Sequence, residues 1–277
     1  MTGRLTGKVV MITGASRGLG EYCAVAYARE GARVVVAART TEEKDPRLPG
    51  TIYHTAKLVE EAGGEALPVV CNVADTDSIQ SAVDQVMAQW GRIDVLMTNA
   101  AIQPPGFIST IQPKHWELEF KVNVHGPFHC IRAVLPAMLE QGSGNIINVS
   151  SVAAQRGSHY GATKRAVEGM TIGLAAELKE KGIAVNAMKP VGAIETPGLL
   201  FGRAPGQTGG GRAGNPNIPP PDSYVEAAVL LAQQTPDSFT GQVCHDAELI
   251  RRLADAKTQQ RFREMNPEAW VRAMDDA

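Results

Sequence analysis

Apolar, β-branched runs recur along the chain, and each is followed by a stretch in which apolar residues return every three or four positions. The runs at 8–13 (KVVMIT), 33–39 (RVVVAAR), 65–73 (EALPVVCNV), 93–101 (IDVLMTNAA), 145–151 (NIINVSS) and 183–190 (IAVNAMKP) read as strands, with a short seventh at 242–247 (QVCHDA). Helical spacing occupies 19–31, 51–64, 77–91, 113–142 and 160–182, the first two ending on glycines that stop a helix. Pro127 and Pro136 predict irregularities inside the longest of these. Strands apolar nearly throughout need cover on both faces, and intervening helices impose parallel pairing with right-handed crossovers. The expectation is an α/β fold, a single Rossmann-like doubly wound parallel sheet with helices on both faces, filling residues 1–247. The Gly- and Pro-rich stretch 197–221 follows the sixth strand and is expected to be a substrate lid. Residues 248–277 are charged and expected to form a helical extension.

Composition narrows the class without naming a function. The 277 residues are 44% hydrophobic, and 27 basic against 29 acidic side chains leave a net charge of −2. That balance argues against a nucleic-acid or anionic-membrane surface, which needs a basic excess. No apolar run is long enough to span a bilayer. The opening MTGRLTGKVVMITGAS lacks the apolar stretch of a signal peptide and reads as the approach to a first strand. Cys23, Cys71, Cys130 and Cys244 stand far apart with no CxxC pairing, as expected of reduced thiols in a cytoplasmic protein.

The segment TGASRGLG (13–20) joins the first strand to the first helix and spaces Gly14, Gly18 and Gly20 around Ser16, Arg17 and Leu19. Glycines allow a tight bend and a close backbone approach to a pyrophosphate, and the helix start offers free N–H groups to the anion. A carboxylate at the end of the second strand would bind a ribose 2′-hydroxyl and favour NAD(H). The chain has Ala37-Ala38-Arg39 there instead. Arg39, with Arg17 from the glycine loop, suits a 2′-phosphate, so NADP(H) is expected over NAD(H).

Tyr160 and Lys164 share one helix face at i, i+4 spacing. An ammonium beside a phenol is expected to lower the phenol from its ordinary value of about 10, making it a usable acid or base. A nearby serine hydroxyl can hold a substrate oxygen.

The combination TGASRGLG, Asn99-Ala100-Ala101, Asn123, Ser151 and YGATK resembles the short-chain dehydrogenase/reductase family over residues 5–247. The resemblance implies hydride transfer between a nicotinamide cofactor and a carbonyl or alcohol, in a homotetramer or homodimer. It implies Tyr160 as acid/base, Lys164 on the nicotinamide ribose, Ser151 on the substrate oxygen and Asn123 holding the water of a proton relay. Asn99, Ala100 and Ala101 correspond to the stretch lining the cofactor, and Asn72-Val73 to the pair that meets the adenine. In KPVGAIET, Pro190 opens the family's cofactor-binding motif and Thr196, one position later than usual, corresponds to the carboxamide contact. The long connection ARTTEEKDPRLPGTIYHTA is similar to the branch containing hydroxysteroid dehydrogenase-like proteins and bacterial citronellol-type dehydrogenases.

One departure stands out. Ser151 and Tyr160 are nine positions apart, fewer than in most members of that family. Nine residues still reach about 30 Å when extended, so the tether suffices and what shortens is the pocket wall. Ser150 and Ser158 are alternatives for the serine role, and His159 reads as a loop residue with a proton role as its alternative. His125 and His129 have metal-ligand spacing but lack an evident third ligand, so packing is expected and no metal. Two other functions stay open: a nucleotide-binding protein without turnover, serving as redox sensor or scaffold, and an NAD-dependent alcohol dehydrogenase.

Overall fold

The computed structural model describes residues 3–192, 194, 196, 197, 221–265, 267, 268, 270 and 271. Apart from its end residues, the expected lid at 197–221 lies outside them, as does the chain after 271. Seven strands form one sheet: β1 (Val9–Thr13), β2 (Arg33–Ala38), β3 (Glu65–Val70), β4 (Val95–Thr98), β5 (Gly144–Val149), β6 (Ile183–Lys189) and β7 (Val243–His245). Their order is β3-β2-β1-β4-β5-β6-β7, and every neighbouring pair is parallel. The chain runs outward from β1 to β3, then returns to the other side of β1 as β4. Ligands of such sheets bind at this reversal, beyond the carboxyl ends of the strands.

Strand alternation builds two cores. Val10 and Ile12 of β1 face Cys23, Ala24 and Tyr27 of α1 (Gly18–Arg29), while Val9 and Met11 face the opposite cluster. The first face also takes α2 (Ile52–Glu61). The second is covered by α3 (Thr76–Trp90), α5 (Gly126–Gln141) and α6 (His159–Leu178). α7 (Asp222–Ala232) closes the first face through Tyr224, Ala227 and Ala228, all fully buried. The C-terminal stretch forms α8 (Asp246–Leu253) and α9 (Ala256–Met265), and Leu249, Ile250 and Phe262 join the first core.

The helix expected over 113–142 is interrupted. α4 (Pro113–Phe120) passes into a π turn at Lys121–His125, where the Gly126 N–H reaches the Lys121 carbonyl, and α5 follows. Pro127 follows the turn directly in a helix that runs on unbroken, so its missing N–H removes a helical bond at the irregularity, while Pro136 lies further along α5. The turn falls where the helix is tightly packed: a Cβ on Gly126 would sit 3.1 Å from Val73 Cβ.

At the amino end of the sheet, away from the glycine loop, buried Asp94 accepts from the Val9 N–H at 2.9 Å and from Arg92 at 2.6 and 2.9 Å. Burial pushes this carboxyl up, but the bonds from Arg92 and Val9 and the charge of Lys8 outweigh it and hold the group below its ordinary value.

Candidate active site

The glycine loop is braced by the chain leaving β4. Asn99 Nδ2 donates to the Thr13 and Gly14 carbonyls at 2.9 and 3.1 Å, and Thr13 Oγ1 accepts from the Asn99 and Ala100 N–H groups at 3.1 and 3.2 Å. Gly14 has φ +67°, and a Cβ there would lie 2.7 Å from Ala100 Cα. A Cβ on Gly20 would lie 2.6 Å from both Asn99 Nδ2 and the Gly14 oxygen. Arg17 precedes α1 and makes no side-chain cap hydrogen bond to the first N–H groups of the helix. A glycine loop whose Gly14 and Gly20 leave no room for a Cβ, at the amino end of a helix, fits a dinucleotide pyrophosphate. Thr196 lies against the same loop, its Cβ 3.2 Å from where a Gly18 Cβ would be. Pro190 follows β6 and is half-buried, and Ala101 is exposed beyond β4.

The two arginines behave differently. Arg39 is exposed just after β2. Arg17 donates to the Pro49 carbonyl from Nε at 3.0 Å and to the Gly50 carbonyl from Nη2 at 2.9 Å. It thereby fastens the long β2–α2 connection onto the glycine loop, instead of standing free for a phosphate. Burial, with the like charge of Arg39, pushes its guanidinium below the ordinary value against the pull of Glu43 and Glu21. Gly50 completes the contact: its N–H donates to Glu43 at 2.7 Å, and at φ +100° a Cβ would fall 2.4 Å from the Ser16 oxygen. Asn72 uses Oδ1 to accept from the Ala74 N–H at 3.2 Å, and Val73 is buried beside it.

The serines after β5 divide their work. Ser150 is buried and donates to Glu168 at 2.8 Å; Ser158 caps α6 by accepting from the Gly161 N–H at 2.9 Å. Both alternatives are thus committed to holding structure. Ser151 is half-buried and accepts from the Ala153 N–H at 3.2 Å, capping a short 3₁₀ turn at Val152–Gln155. Tyr160 lies in the first turn of α6. Lys164 follows one turn later, its ammonium 5.5 Å from the phenol ring centroid and donating to the Val149 carbonyl at 2.8 Å.

The electrostatics reverse one expectation. Burial, reinforced by the negative charge of Glu119, pushes the Tyr160 phenol well above its usual range. Burial pulls the Lys164 ammonium down to about 8, with Glu119 opposing. In the cofactor-free protein the phenol therefore stands above its ordinary value and not below it, burial being the larger effect.

Asn123 sits fully buried in the π turn. Its Nδ2 donates to the Ile102 carbonyl at 2.8 Å and to Thr163 at 3.2 Å, and its Oδ1 accepts from the Ile102 N–H at 2.8 Å. The side chain joins the segment after β4 to α6.

Glu119 was not legible as part of this region. It is completely buried, with Oε2 2.7 Å from Nδ1 of buried His159, whose Nε2 lies 3.1 Å from the Gly106 oxygen. In HWELEF it looks like one more surface charge, and its partner is 40 positions away.

The short chain dehydrogenase profile matches residues 8–199. The chain belongs to this family of oxidoreductases. As a short-chain dehydrogenase it is 35% identical over 247 residues to 3-oxoacyl-[acyl-carrier-protein] reductase FabG of Thermotoga maritima, covering 87% of this chain and 96% of that one. It is 34% identical over 258 residues to hydroxysteroid dehydrogenase-like protein 2 of Danio rerio, covering 91% of this chain. The chain spans only 60% of that relative's length. Among solved short-chain dehydrogenases, a metagenomic oxidoreductase in complex with NADP superposes with a TM-score of 0.69 at 31% identity, covering 87% of this chain and 96% of that one. Carveol dehydrogenase from Mycobacterium avium in complex with NAD gives 0.75 at 26%, covering 88% and 97%. No helix among the described residues is long and apolar enough to cross a membrane.

Proposed function

We propose that this short-chain dehydrogenase is an NADP(H)-dependent oxidoreductase acting on a carbonyl or alcohol, with Tyr160 as the acid/base. The observation that carries the reading is the placement of Tyr160 and Lys164 one helical turn apart, with Lys164 anchored to the carboxyl end of β5 by its bond to Val149. A bound nicotinamide dinucleotide supplies the hydride in reduction and accepts it in oxidation. Gly14, Gly18 and Gly20 would admit its pyrophosphate, and Arg39 would face a 2′-phosphate. Tyr160 gives its proton to the oxygen of the carbonyl being reduced. A phenol that burial and Glu119 keep protonated suits that role. When the proton leaves, the Lys164 ammonium offsets the phenolate charge. Ser151, half-buried at the start of the short connection, would position the substrate oxygen. Asn123 holds the wall of the site together through Ile102 and Thr163. The exposed Leu118, Phe128, Leu139 and Ile172 on α4, α5 and α6 would be covered in a homodimer or homotetramer.

The test is fluorescence titration with NADPH and NADH, followed by turnover at the nicotinamide absorbance against ketones and aldehydes. Tyr160→Phe is expected to bind NADPH as the parent does and to lose about a thousand-fold or more in kcat. Parental turnover in that variant, or no binding of either nucleotide, would overturn the reading.

A further inference from the structure

In the steps above Glu119 does no more than help burial keep the Tyr160 phenol protonated, and His159 takes no part, yet their geometry is demanding. Glu119, on α4, has no solvent exposure, and His159, the first residue of α6, is 2% exposed. His159 contacts two oxygens, Glu119 Oε2 at 2.7 Å and the Gly106 carbonyl at 3.1 Å. A carbonyl oxygen only accepts, so Nε2 carries a hydrogen. The short Nδ1–Oε2 contact must hold another proton, on the ring or on the carboxyl group, because otherwise two lone pairs would face each other. In either arrangement the pair is uncharged overall, which avoids an isolated buried charge. The second carboxyl oxygen is buried with no hydrogen-bond partner among the described residues, so the acid is held by the histidine alone. The ionisable groups that face Glu119 are His159, Tyr160 and Lys164, all on α6.

This joint connects three pieces of chain: α4, the first turn of α6 beside Tyr160, and the segment 102–111 between β4 and α4. That segment carries Phe107 and Ile108, 78% and 59% exposed. Its internal bonds are local, from the Phe107 N–H to Thr110 at 3.1 Å and from the Ile111 N–H to the Phe107 carbonyl at 2.8 Å. It is tied to the body at its base, through Ile102 and Asn123, and again at Gly106 through His159. Two large apolar side chains therefore stand in water on a loop latched to the residue preceding Tyr160. The connection from Ser151 to Tyr160, which His159 ends, is short.

We propose that Glu119 and His159 form a proton-sharing latch that positions the Phe107–Ile108 segment as the apolar wall of the substrate site, selecting a hydrophobic carbonyl compound. The inference rests on Tyr160 being the proton donor. Glu119 and His159 are positioning residues, and Phe107 and Ile108 meet the substrate.

Glu119→Gln keeps the latch with a neutral ring, since its amide donates to Nδ1 while Nε2 still donates to Gly106. Glu119→Met does not. Hydrogen exchange of the cofactor-free chain, read on peptides covering 102–111, monitors the latch without turnover. Glu119→Met is expected to exchange there about ten-fold faster than the parent, and Glu119→Gln at the parental rate. With NADPH, Glu119→Met and Phe107→Ser are each expected to raise KM for a long-chain methyl ketone about five-fold or more while the KM for acetone changes little. Unchanged exchange in folded Glu119→Met, or Glu119→Gln behaving like it, would overturn the latch. An unchanged long-chain KM in Phe107→Ser would overturn the wall. Should Glu119→Met not fold, His159→Gln decides by the same readouts, because its amide cannot span both partners. A parent that binds no nicotinamide nucleotide would defeat the proposed function, while exchange at 102–111 would still judge the latch.

Discussion

The Lys164 ammonium donates to the Val149 carbonyl at 2.8 Å and stands 5.5 Å from the Tyr160 ring, so the last residue of β5 fixes the cation beside the phenol. The cation is needed in its charged form, and burial draws its pKa down to about 8. kcat/KM for NADPH, which reports the free enzyme, is therefore expected to fall as pH rises through about 8. A profile flat to pH 10 would separate Lys164 from cofactor capture.

The same burial has a stability consequence. The folded pKa, about 8, lies below the ordinary 10.5, so between those values the unfolded chain binds a proton that the folded chain does not. Stability from this group then rises with pH, and below pH 8 the buried ammonium is a standing cost. Lys164→Met is expected to abolish turnover yet stabilise the cofactor-free protein by about 1–3 kcal/mol at pH 7, a gain that fades towards pH 10. Urea unfolding at both pH values checks it, and a gain independent of pH would refute the assignment.

Gly14 and Gly63 both have positive φ, but only Gly14 has backbone in the way. Gly63→Ala meets nothing within 4 Å and is expected to cost about 1 kcal/mol, the backbone term alone. Gly14→Ala must also displace Ala100 and is expected to cost about 2–4 kcal/mol and to lose cofactor binding. Denaturant unfolding with nucleotide titration distinguishes the two.

Asp94 holds β1 to the turn before β4. Its carboxyl lies below the ordinary 3.8, so its contribution is complete above that value and is lost as pH falls through the folded pKa. Asp94→Asn is expected to destabilise by about 2–4 kcal/mol at pH 6, with the difference from the parent shrinking at pH 3 or below. Urea midpoints at the two pH values measure it.

Arg39 and Arg17 should separate on substitution. Arg39→Ala is expected to weaken NADPH binding by about ten- to a hundred-fold while sparing NADH. Arg17→Ala frees Pro49 and Gly50 from the glycine loop and should weaken both nucleotides alike. Parallel titrations decide, and equal losses in Arg39→Ala would remove the 2′-phosphate role.

The strands were readable because Val, Ile and Ala fill positions that face both cores, and the glycine loop because its spacing joins a strand to a helix. Other features leave no local mark. No residue type signals an i to i+5 bond: Pro127 marks the neighbourhood of the irregular turn, but not its kind, and Pro136 marks none. Arg17 and Arg39 look alike in sequence, and only the fold of residues 40–51 gives one of them backbone partners. Ser150 and Ser151 are neighbours whose roles separate only once strand alternation turns Ser150 towards Glu168. Glu119 reads as a surface acid because its burial depends on a histidine far along the chain. The net direction of the Tyr160 phenol was misjudged because i, i+4 spacing carries no information about desolvation.

The π turn at Lys121–His125 sets a phase. Each helical residue advances the side chains by about 100°, so one residue more or fewer rotates everything beyond it by that angle. Deleting a residue from the turn would let the helix wind regularly, yet α4 and α5 could no longer both face their present neighbours. Either Glu119 would leave His159, or Cys130, Val134 and Met138 would leave the core. Upstream the helix is indexed to the chemistry, and downstream it is indexed to the sheet. The irregular turn is the offset that lets one continuous rod keep both alignments.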